Sequence, residues 1–129
     1  MRKLEIIHSS KAPEPLGHYS QAILADNILY ISGQLPIDPQ DPALIFETPE
    51  LQTTQTLKNL ESVLVVSGAS KEMIVKVTIY ISDIAIWPQV NASYASFFGS
   101  HRPARTAVPV PALPKGFMVE IDAIAHINK

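Results

Sequence analysis

The sequence contains no cysteine. That absence removes disulfide staples, thiolate nucleophiles and Cys-ligated zinc together. No apolar run is long enough to span a membrane, and the basic start MRKLEIIHSSK lacks the apolar stretch that a signal peptide carries behind its charges. Cytoplasmic residence without a membrane partner is the expectation. A surplus of positive charge is missing too. Ten Lys and Arg stand against twelve Asp and Glu, a formal net charge of −2, whereas proteins that grip nucleic acid by its phosphates concentrate basic residues. Nucleic acid is not the partner this balance points to. The four histidines, His8, His18, His101 and His126, have no HxxxH spacing, so no metal site is expected. Nor is there a G-x-S-x-G elbow around Ser32, a phosphate-binding P-loop or a dinucleotide fingerprint.

What is present reads as one domain over residues 1–129. The length suits a single core, and 47% hydrophobic residues are ample to build it. KLEII is a short first strand, and QAILADNILYISGQL is a hairpin turning at Asp26 and Asn27. PIDPQDPALIFETPE carries four prolines and reads as a long loop. Thr48 as N-cap, Pro49 and Glu50 then open a helix over 49–67, with Leu57, Leu60 and Leu64 on one face and Gly68 as its stop. In MIVKVTIYIS the alternation puts Val75, Val77, Ile79 and Ile81 on the buried face of a strand. A second helix follows with Ile86, Val90, Tyr94, Phe97 and Phe98 on one side and Gly99 at its end. The order β-ββ-α-β-α-ββ gives an α+β fold, a single mixed sheet with two helices on one face.

The last strand is the most informative. Phe117, Val119, Ile121, Ala123, Ala125 and Ile127 share one face; Met118, Glu120, Asp122, Ile124 and His126 share the other. Glu120 and Asp122 thus leave the same face about 6.5–7 Å apart. Spacing alone leaves open whether that face is solvated or closed, but Met118 and Ile124 fit open water poorly. Arg105 heads the apolar run ARTAVPV. It is either a strand-end partner for a surface carboxylate or a guanidinium set between apolar walls to hold a ligand carboxylate by two parallel bonds. ISGQL, with Ser32 and Gly33, is by itself no more than a strand ending at a glycine.

Five fragments together carry a resemblance: GHYSQA (17–22), ISGQLPIDP (31–39), VNASYASFF (90–98), PARTAV (103–108) and EIDAIA (120–125). In order and spacing they resemble the reactive intermediate deaminases, the Rid family, and its RidA-type members; some relatives are known as liver perchloric-acid-soluble proteins or endoribonucleases. The resemblance implies a chorismate-mutase-like homotrimer with active sites in clefts between subunits. It implies hydrolysis of 2-imino acids to 2-oxo acids and ammonia without cofactor or metal. It puts the carboxylate-binding arginine on Arg105 and the catalytic glutamate on Glu120. The other site positions fall on Tyr19, Ser32, Gly33 and Asn91, and on Ala107, where many relatives carry cysteine. His18 stands where most relatives have proline, and the loop DPQDPALIFETPE departs from their glycine-containing turn.

Three functions compete at this stage. The leading one is a 2-iminobutanoate/2-iminopropanoate deaminase with Glu120 moving the protons. The second is a module that binds small carboxylates without turnover, which would need Arg105 but not Glu120. The third is an endoribonuclease, against which stand the acidic balance and the absence of any obvious pairing of histidines. The prolines of RPARTAVPVPALPKG suit a strand at a boundary between subunits.

Overall fold

The computed structural model describes residues 3–127: one six-stranded sheet carrying two helices on one face. The strands are β1 (Leu4–Ile7), β2 (Ala22–Ala25), β3 (Ile28–Gln34), β4 (Ile74–Ile81), β5 (Ala104–Pro109) and β6 (Val119–His126). Helix α1 (Pro49–Val66) lies between β3 and β4, and α2 (Trp87–Phe98) between β4 and β5. Across the sheet the order is β1-β2-β3-β6-β4-β5. β4 and β5 run parallel, and every other neighbouring pair is antiparallel. The mixed α+β sheet expected from the sequence is the fold observed.

Local chemistry explains the helix ends. The Thr48 hydroxyl accepts a hydrogen bond from the Leu51 amide at 3.1 Å, Pro49 occupies the first turn, and the chain turns left-handed at Gly68 (φ 78°). The helix closes at Val66 with Ser67 as its cap, one residue short of the expected end. The hairpin turns where Asp26 adopts φ 53°. The core lies between the sheet and the helices, where Leu57, Leu60, Val63 and Leu64 of α1 meet Leu29, Ile79, Ile121 and Ala125.

One expectation on β4 is corrected. Strict alternation puts Val75 in the core, yet it is about half exposed, and Ile74 is fully buried in its place. The pairing with β6 shifts register between Ile74 and Lys76, so a bulge at Val75 breaks the strict alternation. From Val77 onward the expected face is the buried one.

The proline-rich segment after β3 has no helix or strand of its own. Buried polar side chains of α1 hold it. Asn59 Nδ2 donates to the carbonyls of Leu35 and Ile37, both at 2.9 Å, while Gln55 Nε2 donates to Asn59 Oδ1. Gln52 donates to the Phe46 carbonyl and accepts from the Met118 amide at 2.8 Å. One helix face thus supplies the partners that an irregular backbone cannot find in a ladder. Asn59→Leu would strand both carbonyls in the interior. The expected cost is about 2–6 kcal/mol, at the usual penalty of about 1–3 kcal/mol for each unsatisfied group. It would be read as a lower denaturation midpoint at unchanged m-value.

Candidate active site

The site begins with a mismatch in the sheet. Ile31 faces Ala123 and Gln34 faces Ile121, so three steps along β3 meet two along β6. The surplus lies at Ser32 and Gly33, as a β-bulge that withdraws the strand from regular pairing. Into the space so made leans the Glu120 side chain. A Cβ built on Gly33 would fall on Glu120 Oε2 and lie 2.9 Å from Cδ. Only glycine lets the carboxyl lie against that main chain.

Here Glu120 is half-buried, and its pKa is raised, first by burial and then by the charge of Asp122. A carboxyl of this kind holds its proton closer to neutrality than a solvated one. Around it, Tyr19, Ser32, Gly33, Leu16 and Pro114 enclose a groove of about 510 Å³. The Ser32 hydroxyl donates to the Ser20 carbonyl at 2.7 Å, and its amide donates to the Gln21 carbonyl at 2.9 Å. Tyr19 keeps its ring at the groove while its hydroxyl accepts from the Leu16 amide at 3.2 Å.

Sequence reasoning passed over the residue that anchors this wall. Gln21 is buried; its Oε1 accepts from the Ser9 amide at 2.6 Å, and its Nε2 donates to the Ser9 and Pro13 carbonyls. It ties the loop bearing Tyr19 to the start of β2. A glutamine between Ser20 and the apolar run AILA was the available signal, since a polar residue entering a buried strand needs partners.

Arg105 stands apart from this groove. On β5 it pairs in register with Val77, whose side chain is buried beneath the helices. Glu120 pairs with Tyr80 and points to the opposite, helix-free face. Two strand spacings across and three residues along place their Cα atoms about 14 Å apart. Arg105 Nη1 donates to Asn91 Oδ1 at 2.8 Å, and the guanidinium carbon lies 4.8 Å from the Trp87 ring centre and 4.9 Å from that of Tyr94. Two aromatic faces and one amide of α2 thereby fix a cation that is otherwise exposed. The Tyr94 hydroxyl is buried with no hydrogen-bond partner among the described residues; its contribution here is the ring. A second groove of about 460 Å³ opens beside Arg105, Asn91 and Arg102.

Strand β5 is an edge. Just past it the Val110 amide donates to the Ile81 carbonyl at 2.8 Å, and main-chain direction alternates along a strand. Arg105, Ala107 and Pro109 therefore turn their nitrogens to the open edge. Proline is tolerated there because no ladder bond is lost. The Ala107 methyl packs against the core, so at the open edge this position presents its main chain.

The seven expected site residues thus form two clusters. Tyr19, Ser32, Gly33 and Glu120 line one groove; Arg105 and Asn91 are bonded to each other at another place, with Ala107 further along β5 on the same side of the sheet. A third groove, about 680 Å³ between His8 and Val66, holds none of the seven. Among the described residues no three His, Asp or Glu side chains gather in a way that could hold a metal ion, and no helix is long and apolar enough to cross a membrane.

Residues 9–127 match the family model described as Endoribonuclease L-PSP. The chain belongs to this family. A RutC family protein of Pyrococcus horikoshii is 43% identical over 122 residues, 95% of this chain and 97% of its own length. The 2-iminobutanoate/2-iminopropanoate deaminase of Homo sapiens is 41% identical over 120 residues, 93% of this chain and 88% of its own. A crystal structure of a protein of unknown function in the conserved Rid family, from Yersinia pestis, matches with a TM-score of 0.93. It is 46% identical, covering 97% of this chain and 100% of that one.

The raised pKa of Glu120 has a consequence for the stability of this L-PSP protein. Between the ordinary glutamate pKa and its raised folded value, the folded state binds more protons than the unfolded state, so stability falls as pH rises through that window. Glu120→Gln removes this loss. The variant should unfold at a higher temperature than the parent near pH 7, and the gap should close below about pH 4, where the parent carboxyl is protonated in both states. Calorimetry at both pH values tests this; an equal or lower melting temperature for the variant at pH 7 would contradict the burial assigned to Glu120.

Proposed function

We propose that the protein hydrolyses 2-imino acids such as 2-iminobutanoate and 2-iminopropanoate to 2-oxo acids and ammonia, at sites shared between subunits of a homotrimer. The observation that carries this reading is the division of the candidate residues. One chain holds the groove around Glu120, with Arg105 about 14 Å away on the other face of the sheet. Substrates of so few atoms would need the groove of one chain and the Arg105 of its neighbour. The relatives named 2-iminobutanoate/2-iminopropanoate deaminase supply the reaction class.

The open face of the sheet supports association. Ile6 and Tyr30 are exposed there, and Ile124 lies beside Tyr30 in register. Three copies in a closed ring would cover this apolar strip without leaving an unpaired face.

In the proposed reaction the substrate carboxylate takes two parallel hydrogen bonds from the Arg105 guanidinium. Asn91 and the two rings keep that fork from turning away. The Gly33 main chain brings C2 close to the Glu120 carboxyl. Water attacks C2 of the protonated imine, the C=N π pair passes to nitrogen, and ionised Glu120 takes a proton from the water. The product is a neutral carbinolamine. Glu120 then returns the proton to nitrogen, the C–N bond breaks, the hydroxyl oxygen forms C=O, and its proton leaves with ammonia as ammonium. One group can serve both steps because burial and the charge of Asp122 raise its pKa from the ordinary glutamate value. No histidine lines the Glu120 groove, so general acid–base cleavage of RNA by a histidine pair finds no support there.

Subunit mixing tests both parts of this reading. Glu120→Gln should lower turnover by about 10²–10⁴-fold while ligand binding persists, and Arg105→Ala should nearly abolish binding and rate. Each variant alone is then almost inactive. Co-assembled in equal amounts, random trimers would place an intact Arg105 beside an intact Glu120 at about one site in four, restoring about a quarter of parental activity. The measurement is imine hydrolysis, with a dehydratase generating the imine and semicarbazide competing for it. No recovery on mixing would place each site within one chain; full activity in Arg105→Ala would end the deaminase reading.

A further inference from the structure

Beside the Glu120 groove, on the helix-free face, lies a polar cluster that joins two strands. The Tyr80 hydroxyl donates to Asp122 Oδ2 at 3.0 Å, joining β4 to β6. Tyr80 is also the register partner of Glu120, and Asp122 that of Thr78. Glu120 and Asp122 project from the same face two residues apart, about 6.5–7 Å between their Cα atoms. The tyrosine thus sits opposite one carboxyl and is bonded to the other. It fixes where the Asp122 carboxylate lies relative to Glu120.

We propose that Asp122, held by the Tyr80 hydroxyl, is a positioning residue for Glu120: its fixed negative charge, added to burial, tightens the hold of Glu120 on the proton that it exchanges in the reaction. The groups around Glu120 support this. From β6 it faces Asp122, and from β4 Tyr80; β3 contributes uncharged Ser32 and Gly33, and the loop before β2 contributes Tyr19. Val108 and Thr106 of β5 carry no charge on this face. Lys76 stands further along β4, in register with Ile124, and its ammonium is turned to Thr106 Oγ1 at 2.7 Å. Pro114 lines the groove, while its neighbour Lys115 lines a different one.

The electrostatics agree with the geometry. Asp122 is the one charged group among the causes that raise the Glu120 pKa, after burial. Tyr80 has its own pKa raised by burial and then by its bond to Asp122 and the charges of both carboxyls, so it remains a donor across the working pH range.

The inference rests on the deaminase reading for its kinetic arm only. The direct measurement is the titration of Glu120 by carboxyl carbon NMR in the parent, in the neutral variants Asp122→Asn and Asp122→Ser, and in the charge-conserving Asp122→Glu. Asparagine keeps the shape and still accepts from Tyr80, and sedimentation checks that every variant retains the parental mass. Expected is a lower Glu120 midpoint in both neutral variants and a parental one in Asp122→Glu. In kinetics the acid limb of kcat/KM should move the same way. At a pH below both midpoints, Asp122→Asn should then show about threefold or more of the parent's kcat/KM, each relative to its own plateau. An unchanged midpoint in Asp122→Asn overturns the proposal. So does an equal fall in Asp122→Glu, because the effect would follow shape and not charge. A parent that hydrolyses no imine would sink the deaminase reading and leave the NMR result standing.

Discussion

The contact on which the rest of the site depends is the seating of the Glu120 carboxyl against the Gly33 main chain. It exists because β3 carries one residue more than β6 can pair, and because the residue at that point has no side chain. A regular ladder would put a Cβ where the carboxyl now lies. The bulge therefore does two things together: it frees backbone at Ser32 and Gly33, and it holds Glu120 where water reaches it only partly. Burial then raises the proton affinity, and the neighbouring charge of Asp122 adds to it. Much of the remaining polar architecture supports this arrangement from behind. Gln21 fixes the Tyr19 loop to β2, and Gln52 binds the Met118 amide just ahead of β6.

Most of the fold was legible in the sequence because its elements obey simple periods. Thr48 and Pro49 open a helix, Gly68 closes it, and the two faces of β6 alternate without a fault from Phe117 to Ile127. Legibility failed where a period was broken locally. Strict alternation put Val75 in the core, but the bulge gives that place to Ile74. The bulge at Gly33 was hidden for a related reason: a glycine near a strand end is common, and what distinguishes this one is the carboxyl from another strand lying against it. A family pattern supplied the seven positions expected for the site, but not their separation into two clusters. It depends on Arg105 pairing with Val77 while Glu120 pairs with Tyr80. Register between strands distant in sequence sets these faces, and no local signal carries it.

That separation has a physical logic. Were Arg105 within about 4–6 Å of Glu120 in the same chain, the guanidinium would favour the charged carboxylate and pull its pKa down. The two would pair, and the guanidinium fork would be filled. Instead the arginine is stacked on Trp87 and Tyr94 and bonded to Asn91, a neutral acceptor, while the glutamate lies on the other face. Among the described residues, neither group has an ion-pair partner. In the proposed trimer they would face each other only across a subunit boundary, with a 2-imino acid between them. The substrate's own carboxylate would then satisfy the guanidinium and blunt its pull on Glu120. Binding would leave the proton affinity of Glu120 to burial and Asp122. A carboxylate ligand would therefore be both what the site recognises and what lets its acid–base group work.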